Sequence, residues 1–439
     1  MDKILSNVKL FRGEIWHIIQ KLSPTGLPVP TLKCFEHGAL AVNANGFIEA
    51  VGAFSEVKKR FAQASVVNLE GHLILPGFID PHLHFPQLDI IGCYGEKLLR
   101  WLERYTFKEE TQFSNPSLSK ETSCRFITEL FAHGITSSMV FAATFFSSAD
   151  LLFKEALHRG CRMIVGKVSM DRNAPERLLQ GAEEDFDDNQ ALIKKWHGKE
   201  GRLYCALTPR FAPACSKRLL SKLQELKSCF PDLYVQTHHS ETLEEVKWVK
   251  KLFPGFPDYL SIYERYGFLG PRTVLAHSIH ATESEIRRIA ETKTKVVHCP
   301  TSNLFLGSGL FPLNRFAKRK ASVSLGSDIG GGTSLSPWTT MNEAYKIQQL
   351  LKENITPESL FYMSTLGAAT SIDMAHLIGN FEKGKAADFQ VLNIGKHRLL
   401  SRRFKTVESA KERLFAMMMM ADDRIVEEVF IQGRSVYRA

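Results

Sequence analysis

The stretch GHLILPGFIDPHLHFPQ, from Gly71 to Gln87, is an apolar run that breaks at Pro76-Gly77 and ends in two histidines one residue apart. In an extended strand, side chains two residues apart point to the same side, so His82 and His84 can reach one ion together. A His-x-His pair at a strand end is as often structural as metal-binding, and the pair by itself leaves both interpretations open. The choice between these two interpretations depends on which residues lie at the ends of the other predicted strands.

Seven further apolar runs repeat this pattern of a strand, a polar stop and a helical segment. The intervening pieces, such as SKRLLSKLQELKS, are apolar at positions i, i+3 and i+4 with charges opposite. Eight such units predict an α/β fold, a parallel (β/α)8 barrel of the TIM type. The predicted strands are residues 73–84, 134–141, 162–171, 203–211, 233–241, 273–280, 295–303 and 322–328.

The two ends of the chain have a different pattern. Residues 38–52, GALAVNANGFIEAVG, alternate apolar and polar and turn at Asn45-Gly46. Residues 384–394 and 426–438 have a similar pattern of short strands and turns. These strand-rich ends predict one small β-sandwich formed by both termini, with residues 1–72 and 383–439 in the sandwich and residues 73–382 in the barrel.

Composition narrows the class of protein. The 439 residues carry a formal charge of +9, with 44% hydrophobic and 23% charged residues, which is ordinary for a globular protein. Basic clusters at 318–320 and 397–405 are typical of solvated faces, so we expect no nucleic-acid partner. We see no membrane span and no signal-peptide pattern. Eight scattered cysteines without a Cys-x-x-Cys pair predict free thiols in a reducing compartment, so the expected location is the cytoplasm.

The ends of the predicted strands carry the chemistry. In a parallel barrel, catalytic groups lie at the C-terminal ends of the strands. Imidazoles and one carboxylate meet there from four separate strands, which favours a metal site over structural histidines. Nitrogen-rich ligands with one carboxylate suit Zn²⁺, although iron and manganese also accept them. The predicted metal-site residues are His82, His84, His238, His277 and Asp328.

Several strings together resemble the amidohydrolase superfamily, from about residue 70 to about residue 390. They are PGFIDPHLHFPQ, LLRWLERYTF, GKVSMDRNAP, TPRFAP, THHSE, AHSIH, CPTSNLFLGSGLF and LGSDIGGGT. Within that superfamily, the elements PQ, LLxWL, TPRF and the His-x-x-Glu of strand five resemble the guanine deaminases. The resemblance implies a zinc-dependent hydrolase that converts guanine to xanthine and ammonia, with one ion per subunit in a homodimer.

The resemblance also assigns roles to particular residues. It makes His82, His84, His238 and Asp328 metal ligands or near-ligands. His277 becomes either a fourth imidazole or the group that orients the metal-bound water. Pro81 stands where the family usually has Thr, a change that a strand end tolerates.

The purine would meet a second group of side chains. The resemblance implies that Gln87, Arg210 and Phe211 bind guanine, with His238, Glu241 and Asp328 on the metal side. A guanidinium matches the O6 and N7 acceptors of guanine, whereas adenine presents a donor beside N7. The alternatives are structural: Arg210 could form a salt bridge with a carboxylate at the barrel mouth, and Phe211 could pack in the core.

The same residues suggest a mechanism. A metal lowers the pKa of bound water toward neutrality and supplies hydroxide, which would attack C2 of the purine. Asp328 can accept the proton of that water. Glu241 can protonate ring nitrogen N3 and assist the departure of ammonia, or it can simply be a carboxylate at a helix start.

Two other functions stay open. One is a hydrolase for another amino- or chloro-substituted heterocycle, such as a pterin or a triazine. The other is a metal-free scaffold on the same barrel, which the complete ligand set disfavours.

Five further residues need separate interpretations. Trp101 either packs its helix onto the barrel or covers the purine. Some superfamily members bridge two metal ions with a lysine from strand four. Lys167 lies on strand three, so we expect a single metal ion and a structural role for this lysine. Asp80 is expected to support the strand-one ligands. His280 and His298 are expected to be structural.

Overall fold

The computed structural model describes residues 8–22 and 28–439. Within these ranges, sixteen strands form one seven-stranded and one nine-stranded sheet. The strands are β1 (Lys9–Leu22), β2 (Pro28–Val42), β3 (Ile48–Ala53), β4 (Ser65–Pro76), β5 (Phe78–His84), β6 (Ile135–Phe141), β7 (Arg162–Gly166), β8 (Val168–Ser169), β9 (Leu203–Pro209), β10 (Tyr234–His239), β11 (Thr273–His277), β12 (Lys295–His298), β13 (Ser322–Leu325), β14 (Phe389–Leu392), β15 (Val426–Ile431) and β16 (Arg434–Arg438).

The nine-stranded sheet is the predicted barrel. Its strands pair in parallel in the order β5-β6-β7-β9-β10-β11-β12-β13, and the short β8 pairs with β9. Backbone hydrogen bonds join the two ends of this path. Asp328 N donates to His82 O at 2.9 Å, and His84 N donates to Ile329 O at 3.0 Å. The (β/α)8 prediction is confirmed.

The strand predicted over residues 73–84 is two strands in two different sheets. Its first part, the end of β4, pairs with β14 in the seven-stranded sheet, and its second part is β5. The chain passes between the sheets at Gly77. A Cβ there would lie 2.1 Å from Thr136 Oγ1, so the close approach of the backbone requires glycine. The single-strand prediction is therefore wrong at this point.

The strands predicted over 162–171, 203–211, 233–241, 273–280, 295–303 and 322–328 all end earlier than predicted. For the last two the reason is local. The run predicted over 295–303 ends at His298, because Pro300 begins a helix. The run predicted over 322–328 ends at Leu325, and Asp328 has a φ of +52°, which a strand does not accommodate.

The seven-stranded sheet joins both ends of the chain, in the order β16-β15-β14-β4-β1-β2-β3. Phe11, Phe389 and Phe430 pack together inside it, with ring centroids 4.5 to 5.2 Å apart. The predicted strand-rich domain from both termini is confirmed. Its division from the barrel at residues 72 and 382 stays a prediction, and part of the predicted N-terminal segment lies outside the described residues.

Helices surround the barrel and bury their apolar faces against it. None of those in the described part of the chain is long and apolar enough to cross a membrane. All eight cysteines are free thiols. The α-helices are α1 (Phe54–Arg60), α2 (Leu98–Trp101), α3 (Phe107–Gln112), α4 (Pro116–Ala132), α5 (Phe146–Arg159), α6 (Ala182–Trp196), α7 (Lys217–Cys229), α8 (Leu243–Leu252), α9 (Leu260–Arg265), α10 (Glu283–Glu291), α11 (Pro300–Phe305), α12 (Leu313–Lys318), α13 (Pro337–Leu350), α14 (Pro357–Ser364), α15 (Leu366–Ser371), α16 (Arg398–Phe404) and α17 (Ala410–Met420).

Lys167 lies between β7 and β8 and forms a buried ion pair. Its Nζ lies 2.5 Å from Asp185 Oδ1, and both side chains are fully buried. Asp185 Oδ2 also accepts from Ser169 Oγ at 2.8 Å. The lysine is therefore held by helix α6 and does not reach the mouth of the barrel.

Lys167→Met should destabilise the fold because it leaves the Asp185 carboxylate buried without its cation. We expect the free energy of unfolding to fall by about 3–5 kcal/mol, measured by urea denaturation. The control is Lys346→Met, which breaks an exposed pair with Glu343 and should cost less than about 1 kcal/mol. Equal effects of the two substitutions would contradict a structural role for Lys167.

Candidate active site

Four side chains converge at the C-terminal mouth of the barrel. His82 and His84 lie at the end of β5, His238 lies near the end of β10, and Asp328 follows β13. Asp328 Oδ1 lies 3.0 Å from His82 Nε2 and 3.3 Å from His84 Nε2. His84 Nε2 lies 3.2 Å from His238 Nε2. One ligand atom from each of the four lies within 4.8 Å of the others, as a shared metal ion requires.

His277 and Glu241 stand beside this cluster. His277 ends β11, and its Nε2 lies 3.6 Å from Asp328 Oδ2 and 3.5 Å from Glu241 Oε2. Glu241 follows β10 and accepts a hydrogen bond from Ser308 Oγ at 2.8 Å. His277 therefore lies between the four-residue cluster and the Glu241 carboxylate.

Hydrogen bonds on the far side of two imidazoles set their tautomers. His238 Nδ1 lies 2.6 Å from the carbonyl oxygen of Arg210, and His277 Nδ1 lies 2.9 Å from Asn303 Oδ1. Both partners are acceptors, so each Nδ1 carries the proton and donates it. The Nε2 atoms then keep a free lone pair that faces the cluster.

Asp80 supports the same region from behind. Its Oδ1 accepts from the backbone N–H groups of His82 and Ser327, each at 3.2 Å. The carboxylate thus joins the strand that carries the first two histidines to the residue before Asp328. This geometry agrees with the supporting role expected for Asp80.

The side chains fit a divalent metal ion. Among the described residues, His277 Nε2 and both ring nitrogens of His82 are buried without a hydrogen-bond partner, which is costly unless another group binds them. Three imidazoles and a carboxylate form a donor set that suits zinc and related metals. An overlapping group contains His277 and Cys299 in place of His84 and His238. Burial raises the pKa of the Cys299 thiol well above its ordinary value.

Burial and neighbouring charges favour the protonation states that a ligand set needs. Burial lowers the pKa of His84 to about 4 and lowers that of His238 well below its ordinary value. Burial alone would raise the pKa of Asp328, but the imidazoles of His82 and His84 hold it well below its usual range. Burial and the charge of Asp328 raise the pKa of Glu241 well above normal. The neutral forms of His84 and His238 and the ionised form of Asp328 are therefore favoured.

The backbone is strained at the strand ends of the site. Ser240, His277 and Asp328 have φ values of +48°, +68° and +52°. For residues other than glycine, such conformations cost about 1–3 kcal/mol each and persist where the surrounding structure enforces them. They turn the chain out of each strand next to the clustered side chains.

A cavity with about 440 Å³ of empty space, part of it open to solvent, leads to the cluster. Its lining combines polar groups that could hold a metal ion or a substrate with apolar side chains, as small-molecule sites commonly do. Phe211, Trp101 and Glu241 are each no more than 5% exposed. The lining residues are His84, Gln87, Leu98, Trp101, Leu102, Arg210, Phe211, His238, Glu241, Glu245, His277, Leu306, Asp328 and Gly331.

The sequence model of the amidohydrolase family matches residues 73–436. The chain belongs to the amidohydrolase family. The guanine deaminase of Escherichia coli (strain K12) is 40% identical to it over 98% of both chains. The solved structure of E. coli guanine deaminase covers 98% of this chain and 99% of its own, with a TM-score of 0.94. The guanine deaminase of C. acetobutylicum, solved with guanine bound in the active site, is 29% identical, with a TM-score of 0.89 and coverage of 98% and 100%.

Among the other residues considered in the sequence, only Trp101 lines the cavity of this amidohydrolase-family chain. Trp101 belongs to an apolar cluster with Phe211 and is 2% exposed, so it both packs its segment and forms a wall. His280 Nε2 bonds to the carbonyl oxygen of Ser308 at 2.9 Å. The ring of His298 stacks on Phe311 with centroids 4.5 Å apart. Neither histidine is part of the metal-binding groups.

The sequence did not single out three side chains that hold the site together, namely Glu110, Asn303 and Ser308. Asn303 and Ser308 lie in CPTSNLFLGSGLF, and that string is part of the family resemblance. Glu110 lies in FKEETQ, which is typical of a solvated helix. Its carboxylate is 1% exposed and bonds to both Gln87 and Arg210.

His84→Asn should reduce metal binding because it removes one of the clustered imidazoles. We expect the metal content of purified protein to fall from about one ion per chain to a small fraction of that, measured by inductively coupled plasma mass spectrometry. His280→Asn changes a histidine outside the cluster and should keep the full metal content. Full occupancy in the His84 variant would exclude it as a ligand.

Proposed function

We propose that this protein is a zinc-dependent guanine deaminase that converts guanine and water to xanthine and ammonia. The observation that carries the proposal is the arrangement of one cavity. The guanidinium of Arg210 and the amide of Gln87 line it together with Glu241 and the histidine–aspartate cluster. The full-length similarity to guanine deaminases of E. coli and C. acetobutylicum supports the same reaction.

The metal would be held by His82, His84, His238 and Asp328, with His277 beside them. Nitrogen-rich donors with one carboxylate favour Zn²⁺ among the metals that this family uses. When bound, the ion supplies a water molecule that loses its proton near neutral pH. Everything else in the reaction depends on side chains of the chain itself.

Recognition of guanine is proposed for Arg210, Gln87 and Phe211. Arg210 has N–H donors for the O6 and N7 acceptors of guanine, whereas adenine would oppose them with its own amino donor. Gln87 offers both a donor and an acceptor to another edge of the ring. The Phe211 ring provides an apolar face for the purine. This arrangement directs C2 and N3 toward Glu241 and Asp328.

Glu241 and Asp328 then move the protons. Asp328 accepts the proton released as the water oxygen attacks C2. Glu241 delivers one proton of the water to N3, and the proton that Asp328 has accepted then passes through Glu241 to the amino group. The C2–N bond breaks, ammonia leaves, and both carboxylates return to their starting states. His277 lies within 3.6 Å of both carboxylates and orients the water between them.

A hydrolase for another heterocycle is the second candidate. A triazine hydrolase from Arthobacter aurescens covers 98% of this chain with a TM-score of 0.84, but at 18% identity it shows the fold alone. A pterin substrate stays an untested alternative. A homodimer and a cytoplasmic location, both expected from the sequence, are proposed without further support.

Glu241→Gln should abolish most of the guanine turnover, since an amide does not transfer the proton. We expect kcat to fall by about 10²–10⁴-fold while the metal content stays unchanged, measured by the ultraviolet absorbance of guanine and by ammonia release. Glu244→Gln alters an exposed glutamate three residues away and should leave kcat unchanged. Wild-type protein that releases ammonia equally from guanine, adenine and cytosine would contradict the proposed specificity.

Arg210→Lys should weaken guanine binding because lysine keeps the charge but loses the planar fork. We expect KM for guanine to rise by roughly 10- to 100-fold, which corresponds to the loss of one charged hydrogen bond. The measurement is steady-state kinetics with guanine, with the exposed Arg218→Lys as control. An unchanged KM would favour the second candidate function.

A further inference from the structure

We infer that Glu110 is a positioning residue that holds both polar groups of the purine-binding wall. This inference rests on the proposed function. Glu110 lies in helix α3 and is 1% exposed. Its Oε1 accepts from Gln87 Nε2 at 2.8 Å, and its Oε2 accepts from Arg210 Nη1 at 2.5 Å. Glu110 does not line the cavity, so its effect on the substrate passes through these two side chains.

Glu110 determines which way the Gln87 amide faces. An ionised carboxylate only accepts hydrogen bonds, so it must face the amide nitrogen of Gln87. On the other side, Gln87 Oε1 accepts from the backbone N–H of Gly330 at 3.0 Å. A flipped amide would set two acceptors against each other at Glu110 and two donors against each other at Gly330. The amide therefore presents one N–H and one oxygen lone pair in fixed directions.

Glu110 also holds the guanidinium of Arg210. The arginine is 3% exposed, and its Cζ lies 5.4 Å from the ring centroid of Phe107. Phe107 and Glu110 are three residues apart in helix α3 and so lie on the same face. One helix thus contacts the guanidinium with both a ring and a carboxylate. Within the described part of the chain, Nε and Nη2 of Arg210 have no hydrogen-bond partner and remain available to a purine.

Charge makes this arrangement more than a packing contact. A buried guanidinium without an anion is strongly unfavourable, and its side chain would move toward water or toward another carboxylate. The cavity also contains Glu241, Glu245 and Asp328. By pairing with Arg210, Glu110 keeps the cation away from the carboxylates proposed to move protons.

Glu110→Gln tests the inference, because it keeps the size of the side chain but removes its charge and makes one end a donor. We expect KM for guanine to rise by roughly 10- to 100-fold, with kcat changed by less than about threefold, the pattern of lost binding without lost chemistry. Metal content should stay close to that of the wild type, and the kinetics are measured well below the melting temperature, which we expect to fall because the buried guanidinium loses its anion. The control is Glu109→Gln, since Glu109 lies next in the chain and its side chain, among the residues that the structure describes, bonds only to Gln112.

A double-mutant cycle separates positioning from a general structural role. If Glu110 acts through Arg210, then Glu110→Gln should raise KM much less in the Arg210→Lys enzyme than in the wild type. Glu110→Asp keeps the charge and should recover part of the affinity. It also provides the measurement if the Gln variant does not fold.

The outcomes distinguish this inference from the function on which it rests. Wild-type protein without guanine turnover would overturn both. With an active wild type, an unchanged KM in the Glu110→Gln enzyme would overturn the inference alone. Fully additive effects of the Glu110 and Arg210 substitutions, or a loss of kcat together with metal, would also overturn it, since either result describes a structural residue.

Discussion

The contact between the Asp328 carboxylate and the imidazoles of His82 and His84 depends on the closure of the barrel. Asp328 N donates to the backbone of His82, and Asp80 bridges the same two segments. The hydrogen bonds that join the first and last strands therefore also bring the carboxylate to within 3.3 Å of both imidazoles. In a parallel barrel all strands end at one face, so the other two histidines come to the same place.

Concentrating so many polar groups in a buried site is unfavourable unless each group has a partner. The structure provides those partners from segments that follow the strand ends. Asn303 holds His277, Ser308 holds Glu241, and a backbone carbonyl holds His238. The two histidine contacts use Nδ1 and leave Nε2 facing the cluster. The inner faces stay free for an ion and a substrate, and the groups cannot relax toward one another.

In our proposal the cavity has a reactive side and a recognition side, and different parts of the structure hold the two sides. The reactive side depends on strand ends whose backbone is bent into the left-handed region. The recognition side depends on helix α3, which packs a ring and a carboxylate against Arg210. In our proposal, a purine spans both sides, so a shift of helix α3 would change binding without changing the cluster.

Local patterns in the sequence were enough to predict the barrel, the sheet built from both termini and the residues at the strand ends. The alternation of apolar and polar residues, the helical periodicity and the His-x-His spacing involve residues that are close in sequence. They can therefore be recognised without knowledge of the fold. The division of residues 73–84 at Gly77 was missed because it depends on the approach of Thr136. Only the tertiary structure revealed the role of Glu110, whose partners lie 23 and 100 positions away. An acidic residue in a short polar helix looks exposed until the fold buries it against an arginine, because burial is decided by the whole chain.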